Sequence, residues 1–330
     1  MPDSVIAEKC GAGGRQSGFS LLELMAALGL LLLISGIVMT ALKQMMMTQG
    51  TLSNRTEMHS GVRSATEVLQ QEIGQAGKIS LPAPPVTLAS AVAGTGAATQ
   101  VTVSSAAGMF TGEQLVIGPD TGCVPPACPA GNQETVALTA VAAATNQITA
   151  RFENVHAIGA PIMVMGAFAS GIAPTNMTNG STPTVLKMYG DINGDGNMVY
   201  VEYTCDTAAG NLYRNVMSIT AASKPPLTSA MILLPNILAN PGGTPCFSYQ
   251  QKTVGADTYV INVAVTLTVQ TQNADPQTNQ FQKETKALLN VSPRNVFEGW
   301  QLASGNVPNR VQPMPAGPTG APSVTTLLLP

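Results

Sequence analysis

The chain has 330 residues, of which only 10% are charged against about 25% in an ordinary soluble domain, and its net charge is −3 with no basic block. A sequence-independent grip on phosphate backbones needs clustered Lys and Arg, so nucleic acid is excluded as the expected partner. With 45% hydrophobic residues, 32 Gly and 24 Pro, the composition fits neither a disordered chain nor an all-helical bundle, and two histidines, His59 and His156, leave little room for His-dependent catalysis.

The first element in chain order is apolar. Phe19 to Leu42 reads FSLLELMAALGLLLLISGIVMTAL with one charge, and at 1.5 Å per residue a helix of that length crosses a ~30 Å hydrocarbon core. A secretory signal peptide has a shorter apolar core, roughly 7–15 residues, followed by a small-residue cleavage site. Here the run is longer and the charge lies inside it. The preceding segment holds Lys9 and Arg15 offset by Asp3 and Glu8, a weak basic bias for a cytoplasmic N-terminus. The single carboxylate, Glu23, costs on the order of 2.5–3.5 kcal/mol at a membrane helix centre and less toward an end, so it calls for a partner or a function.

The run Gly18-Phe19-Ser20-Leu21-Leu22-Glu23-Leu24 resembles the class III signal of type IV prepilins and pseudopilins, with Gly before the cut, Phe after it and Glu four residues further on. The resemblance implies cleavage between Gly18 and Phe19 by a prepilin peptidase, methylation of the new Phe19 amine, and pairing of Glu23 with the N-terminal amine of a neighbouring subunit. A buried charge pair is strong only when both members are present, so that pairing would register subunits.

Met58, Val62, Ala65, Leu69, Ile73 and Ala76 continue a helical stripe to about Gly77. Between the two helical stretches, Gly50 to Asn54 is weak helix, and Asn54 with Glu57 resembles a capping box, so a kink or restart is expected there. Met45, Met46 and Met47 offer thioethers, but adjacent helix positions do not share a face, and an apolar packing surface at the membrane exit is the expected role.

From Ser80 the pattern changes to strands. Expected strands are 100–104, 114–118, 135–141, 147–152 and 160–166, forming a β-rich insert over 82–167 in which His156 is a turn or packing residue. A second β portion, 168–303, has strands at 197–203, 212–218 and 258–269, the last alternating from Tyr259 to Val269, with 273–280 turning it into a partner from Phe281 to Val291. Tyr200-x-x-Tyr203, Gly210-x-Leu212-x-Arg214, Leu69-Gln70-Gln71-Glu72-Ile73 and Pro293-Arg294-Asn295 resemble the larger minor pilins of the PilW and pseudopilin J type, over much of 19–80 and 185–300 but not the insert. After Ser304 a Pro-rich tail is expected to be loosely structured.

Asp191-x-Asn193-x-Asp195-Gly196-Asn197 followed by Glu202 satisfies the calcium-loop pattern. Ca²⁺ needs six to eight oxygens, and Asp191, Asn193, Asp195, a carbonyl at Asn197 and a bidentate Glu202 would supply them, with water in place of Val199. The flanks are strand-like, so no helix-loop-helix is expected, and the affinity would be of the extracellular kind, ~10⁻⁴–10⁻³ M. The competing reading is a polar Asn-Gly-Asp-Gly hairpin turn with Glu202 merely exposed on the following strand. Cys10 leaves with the leader. Cys123, Cys128, Cys205 and Cys246 remain, an even number that suggests two disulfides in an exported domain. Three connectivities are open; the short loop favours Cys123–Cys128 with Cys205–Cys246, and a four-Cys zinc site is the alternative.

The expected fold is α+β: leader 1–18, membrane and polymerisation helix 19–42, amphipathic helix 43–80, the β insert, an antiparallel pilin-like β domain and a tail at 304–330. The expected function is structural, without catalysis: a minor pilin or pseudopilin of a type IV pilus or related secretion filament. Its partners would be prepilin peptidase, other major and minor pilins, the inner-membrane assembly platform and membrane lipid. The place would be the bacterial inner membrane and periplasm, or outside the cell within a pilus. The alternative is a surface-binding, adhesin-like protein that uses the insert, and an exported hydrolase has least support. Aromatic residues make up only 4% of the chain, and its one Trp, Trp300, does not suggest a sugar platform.

Overall fold

The computed structural model describes residues 18–82, 85–120, 131–219, 221, 223–307 and 310–313. It is an α+β chain in which a long N-terminal helix is followed by antiparallel β-sheets. Two compact units are distinguished, Met1–Ser53 with Asp275–Gln280, and Asn54–Ala274 with Phe281–Pro330.

Helix α1 runs unbroken from Leu21 to Gln75. The expected restart at 50–54 is absent. Gly50 and Asn54 each cost up to ~1 kcal/mol of helix propensity, too little to break a helix supported by turns on both sides. Along the way Thr40, Thr48 and Thr51 hydroxyls donate to the carbonyls four residues back, at 2.8, 3.0 and 3.1 Å, so these polar groups are satisfied within the helix. In the first unit the apolar side chains of 19–42 are exposed, and Gln277 Nε2 donates to Thr48 Oγ1 at 3.2 Å.

The helix ends for a local reason. Gly77 has φ +79°, a left-handed cap that a Cβ would strain, and an added Cβ there would lie 2.7 Å from Val296 Cγ2. The stripe Val62, Ala65, Leu69 and Ile73 is buried as its 3–4 residue spacing requires.

In the second unit three main sheets follow. β1 (Val86–Thr87), β2 (Ala98–Thr102), β3 (Gln114–Ile117), β4 (Glu134–Ala142), β5 (Gln147–Arg151) and β6 (Pro161–Val164) form a six-stranded sheet in the order β1-β6-β3-β4-β5-β2. Its two edges meet through the Leu88↔Val103 bridge, and the Ala89 and Ser104 N–H groups donate across the seam to Thr102 and Thr87 carbonyls. The insert is therefore a small barrel, an arrangement that removes exposed sheet edges. Its interior holds Val86, Leu88, Val101, Val103, Leu115, Ile117, Val136, Leu138, Ile148, Phe152 and Ile162.

β7 (Ala167–Phe168) leads to β8 (Val185–Gly190), β9 (Val199–Asp206), β10 (Asn211–Ser218) and β11 (Ile232–Pro235), a four-stranded sheet in the order β11-β10-β9-β8. β12 (Ile237–Leu238), β13 (Phe247–Val254) and β15 (Lys283–Val291) all pair with β14 (Asp257–Gln270). The α1 stripe packs with Leu186, Met188, Val201, Tyr203 and Leu212 of the first of these sheets and Phe247, Val263, Val265 and Leu267 of the second in one core. Helix α2 (Arg294–Ser304), not expected from the sequence, buries Val296 and Gly299. Beyond it β16 (Val311–Gln312) pairs in parallel with β7, so these residues of the expected loose tail are part of the fold.

Candidate functional site

The start of α1 is built as a capping box. Leu22 N–H donates to Ser20 Oγ at 3.3 Å and Ser20 N–H donates to Glu23 Oε2 at 3.2 Å, satisfying two donors that the first helical turn would otherwise leave open. Glu23 also complements the positive end of the helix dipole. Phe19 is 89% exposed, and every side chain from there to Leu42 is exposed. A continuous apolar surface of this kind is covered by lipid or by other apolar helices. Gly18 lies immediately before it, while residues 1–17 of the leader, with Cys10, lie outside the described residues. Met45 and Met46 are also exposed.

The 191–197 loop forms with its own partners. Asp191 is buried, its Oδ2 accepting from Lys78 Nζ at 2.8 Å and Ser80 Oγ at 2.7 Å, and its Oδ1 from Asp195 N–H at 3.0 Å. Burial pushes this carboxyl up, but Lys78 and Ser80 outweigh it and hold the Asp191 carboxyl below the usual range. Asp195 Oδ1 accepts Asn197 N–H at 2.9 Å. Glu202 stands elsewhere. It is three residues beyond Val199 on β9, ~10 Å along a strand, opposite Lys187, and its carboxylate accepts from Tyr200 at 2.6 Å and Lys224 at 3.1 Å. As placed, Asp191, Asn193, Asp195, Asn197 and Glu202 do not form one oxygen shell: Asp191 is already neutralised by a lysine and Glu202 by another. Among the described residues no group of three or more His, Cys, Asp or Glu side chains is arranged to hold a metal ion.

Cys205, on β9, and Cys246, just before β13, lie with Sγ atoms 1.99 Å apart and so link the two sheets that share the α1 core. Cys123 and Cys128 lie outside the described residues.

Three buried polar groups were not foreseen. Glu72, on the apolar side of α1, accepts from Arg214 Nε at 3.0 and 3.1 Å, and also from Arg214 Nη2 and the Tyr203 hydroxyl. The sequence carries these three residues in short patterns, yet they are 131 and 142 positions apart, so no local period pairs them. In the barrel the His156 ring is fully buried between two carboxylates, with Nδ1 3.1 Å from Asp120 and Nε2 2.9 Å from Glu134. Glu134 also accepts the Glu153 and Asn154 N–H groups and Asp120 the Ala157 N–H, so His156 and its two carboxylates tie together the backbone of one barrel end.

The third is Glu113, fully buried before β3. Its Oε2 accepts Phe110 N–H at 3.2 Å, while Oε1 has no hydrogen-bond partner among the described residues. Burial pushes its carboxyl from an ordinary 4.5 to about 8, against the opposing pull of the Phe110 N–H. The folded chain thus holds a proton that the unfolded chain releases, so stability is full below about pH 4.5 and is lost as pH rises through about 8. Glu113→Gln should flatten that slope, measured as denaturant midpoints across the window; an unchanged slope would remove Glu113 as its source.

A helix long and apolar enough to cross a membrane is thus joined to a domain of antiparallel sheets, the layout of a membrane-anchored protein. Residues 13–39 match the family model of the prokaryotic N-terminal methylation motif, which is type IV prepilin-like. No curated protein matches the chain. The motif suggests a structural, pilin-like or pseudopilin-like protein, one whose N-terminus is processed by a prepilin peptidase and assembles with other pilins.

Proposed function

We propose that the chain is a minor pilin or pseudopilin of the PilW or pseudopilin J type, a structural subunit that assembles or initiates a type IV pilus or related secretion filament. The observation that carries this reading is the methylation motif at 13–39 overlapping an exposed apolar stretch, 19–42, whose only acid, Glu23, sits in the first turn of α1. Cleavage between Gly18 and Phe19 and methylation of the Phe19 amine would leave a cation immediately before the Ser20–Glu23 capping box, four residues from Glu23. In a filament the carboxylate would exchange the Ser20 N–H for that amine on a neighbour, and the two charges would fix the register of apolar helices that otherwise slide freely.

A β part built of a barrel and two further sheets is more than a repeating shaft subunit needs, which favours a low-copy or tip position. The chain would be held in the bacterial inner membrane by 19–42 with its β domain in the periplasm, contacting the assembly platform and other pilins, or would be carried outside within a pilus. An oxidising compartment would keep Cys205–Cys246 bridged and would also allow Cys123–Cys128.

N-terminal sequencing of the mature chain should begin at Phe19; a mature chain beginning at Met1 would overturn the reading. Glu23→Ala should reach the membrane normally but fail to enter filaments, as measured by immunoblotting of sheared filament and membrane fractions. Unchanged incorporation would count decisively against a role for Glu23 in assembly.

A further inference from the structure

Asn215, on β10, is 0% exposed, yet its amide is only half satisfied. Its Nδ2 donates to the Pro225 carbonyl at 3.1 Å, which fixes the orientation of the amide because the reversed form would set oxygen against oxygen. Oδ1 is then the atom left over, buried and without a hydrogen-bond partner among the described residues. A buried acceptor of this kind calls for a donor.

Asn215 borders a cavity of about 490 Å³ on the outer face of the β8–β11 sheet, opposite the α1 core. That size lies within the ~300–1,000 Å³ of small-molecule pockets. The sheet contributes a row of polar residues in register, Lys187 on β8 opposite Glu202 on β9 and Glu202 opposite Asn215 on β10. Val185, Pro225 and Leu227 add an apolar wall to the same space.

The charged groups around this cavity are already engaged. Lys224 Nζ binds both Glu202 oxygens, at 3.2 and 3.1 Å, and the Tyr200 hydroxyl donates to the same carboxylate at 2.6 Å. Lys187 Nζ donates to the Asn179 carbonyl at 3.0 Å, and Lys187 has a further contact besides. An ion entering the cavity would have to compete with these contacts and shed its own hydration, a cost that a neutral molecule does not meet. The open requirement is one hydrogen-bond donor at Asn215 Oδ1, together with apolar surface to lie against the wall.

We propose that this cavity binds a small neutral molecule with an apolar body and one N–H or O–H donor, the donor meeting Asn215 Oδ1 and the body resting on Val185, Pro225 and Leu227. Uncharged amides and alcohols share this chemistry. Affinity comes from burial of the apolar body and selectivity from the donor, because a molecule that offers an oxygen lone pair in its place leaves Oδ1 unpaired. The proposal does not depend on the chain entering a filament.

The test is titration of the full-length protein in detergent micelles with N-benzylacetamide and, separately, with phenylethanol, read by calorimetry and by melting temperature. At least one should give a saturable response and a raised melting temperature, and the arm that does so tells an amide source from an alcohol. The matched compounds without the donor, benzyl acetate and the methyl ether of phenylethanol, should bind ~tenfold or more weakly than their parents. Leu227→Trp, which fills the cavity mouth from a side chain 42% exposed, should abolish the saturable response, whereas uptake by the micelle would persist. Asn215→Leu should erase the preference for the donor. Should Asn215→Leu fail to fold, the donor-free compounds and Leu227→Trp decide. Absence of saturable binding by both probes, which would leave the space to water alone, would overturn the proposal. So would equal binding of the donor-free compounds, a donor preference kept by Asn215→Leu, or undiminished binding by Leu227→Trp.

Discussion

Arg214→Met should lower the stability of the chain by about 3 kcal/mol, because it leaves the Glu72 carboxylate buried against the sheet without its cation. The pair is worth testing at this size because of where it stands: the Glu72 side chain is 10% exposed and Arg214 30%, so the loss falls at the lower end of the range for buried pairs. Tyr203 donates to the same carboxylate, and burial beside Glu72 pushes its phenol pKa well above the ordinary value, so Tyr203 stays a neutral donor and cannot replace the lost charge. The double variant Glu72→Met with Arg214→Met should recover most of the loss, since apolar side chains of similar volume fill such sites without a desolvation cost. Urea unfolding of the three proteins measures both effects. A single variant as stable as the parent would show that the ion pair does not hold α1 to the sheet.

Reduction of the Cys205–Cys246 bridge should have an effect of similar size. The bridge closes a loop with a sequence separation of 41, and releasing a constraint of that length from the unfolded chain costs ~4 kcal/mol in the chain-entropy account. Both cysteines are buried in the α1 core, at 4% and 5% exposure, so Cys205→Ala with Cys246→Ala adds the loss of packing to the loss of the constraint. The measurement is the denaturant midpoint of the full-length protein with and without a reductant. A midpoint unmoved by reductant, with free thiols confirmed by alkylation, would show that the bridge adds no stability. A large shift would place a physical requirement on the compartment, because the domain would then be substantially weakened wherever thiols are kept reduced.

These two links bind the same assembly from different sides. Glu72–Arg214 ties the helix to the β8–β11 sheet, and Cys205–Cys246 ties that sheet to β13. In the proposed filament role, force applied through the helix would reach the β domain across them. The N-terminal half needs no such ties. Its apolar surface and single acid suit a helix whose partners are lipid and other subunits, and Glu23 is capped locally by Ser20.

Much of the β architecture was legible strand by strand. The alternation from Tyr259 to Val269 marks β14, observed from Asp257 to Gln270, and the expected strands at 114–118, 147–152 and 212–218 fall within a residue of β3, β5 and β10. Strands without alternation were harder. β8, Val185–Gly190, is buried on both faces and carries Lys187 inside, so no period of two shows in its sequence, and α2 is too short to announce itself beside a proline. The calcium-loop pattern correctly marked a tight Asx-rich turn at 191–197, but it is silent on Lys78 and Lys224, which reach Asp191 and Glu202 from distant segments.

By itself the sequence determined the elements whose cause is local. These are a helix of membrane-crossing length set by composition, a prepilin-like motif set by seven adjacent residues, and strands set by an alternating period. Only the tertiary structure decided which side chains meet: the closure of the barrel at Leu88 and Val103, the seat of His156 between Asp120 and Glu134, the ion pair of Glu72 with Arg214, and the diversion of Glu202 from the loop to Lys224. The reason is physical. Backbone preference and hydrophobic periodicity act over a few neighbouring residues, whereas the partner of a buried charge is set by strand register and by the packing of segments remote in the chain.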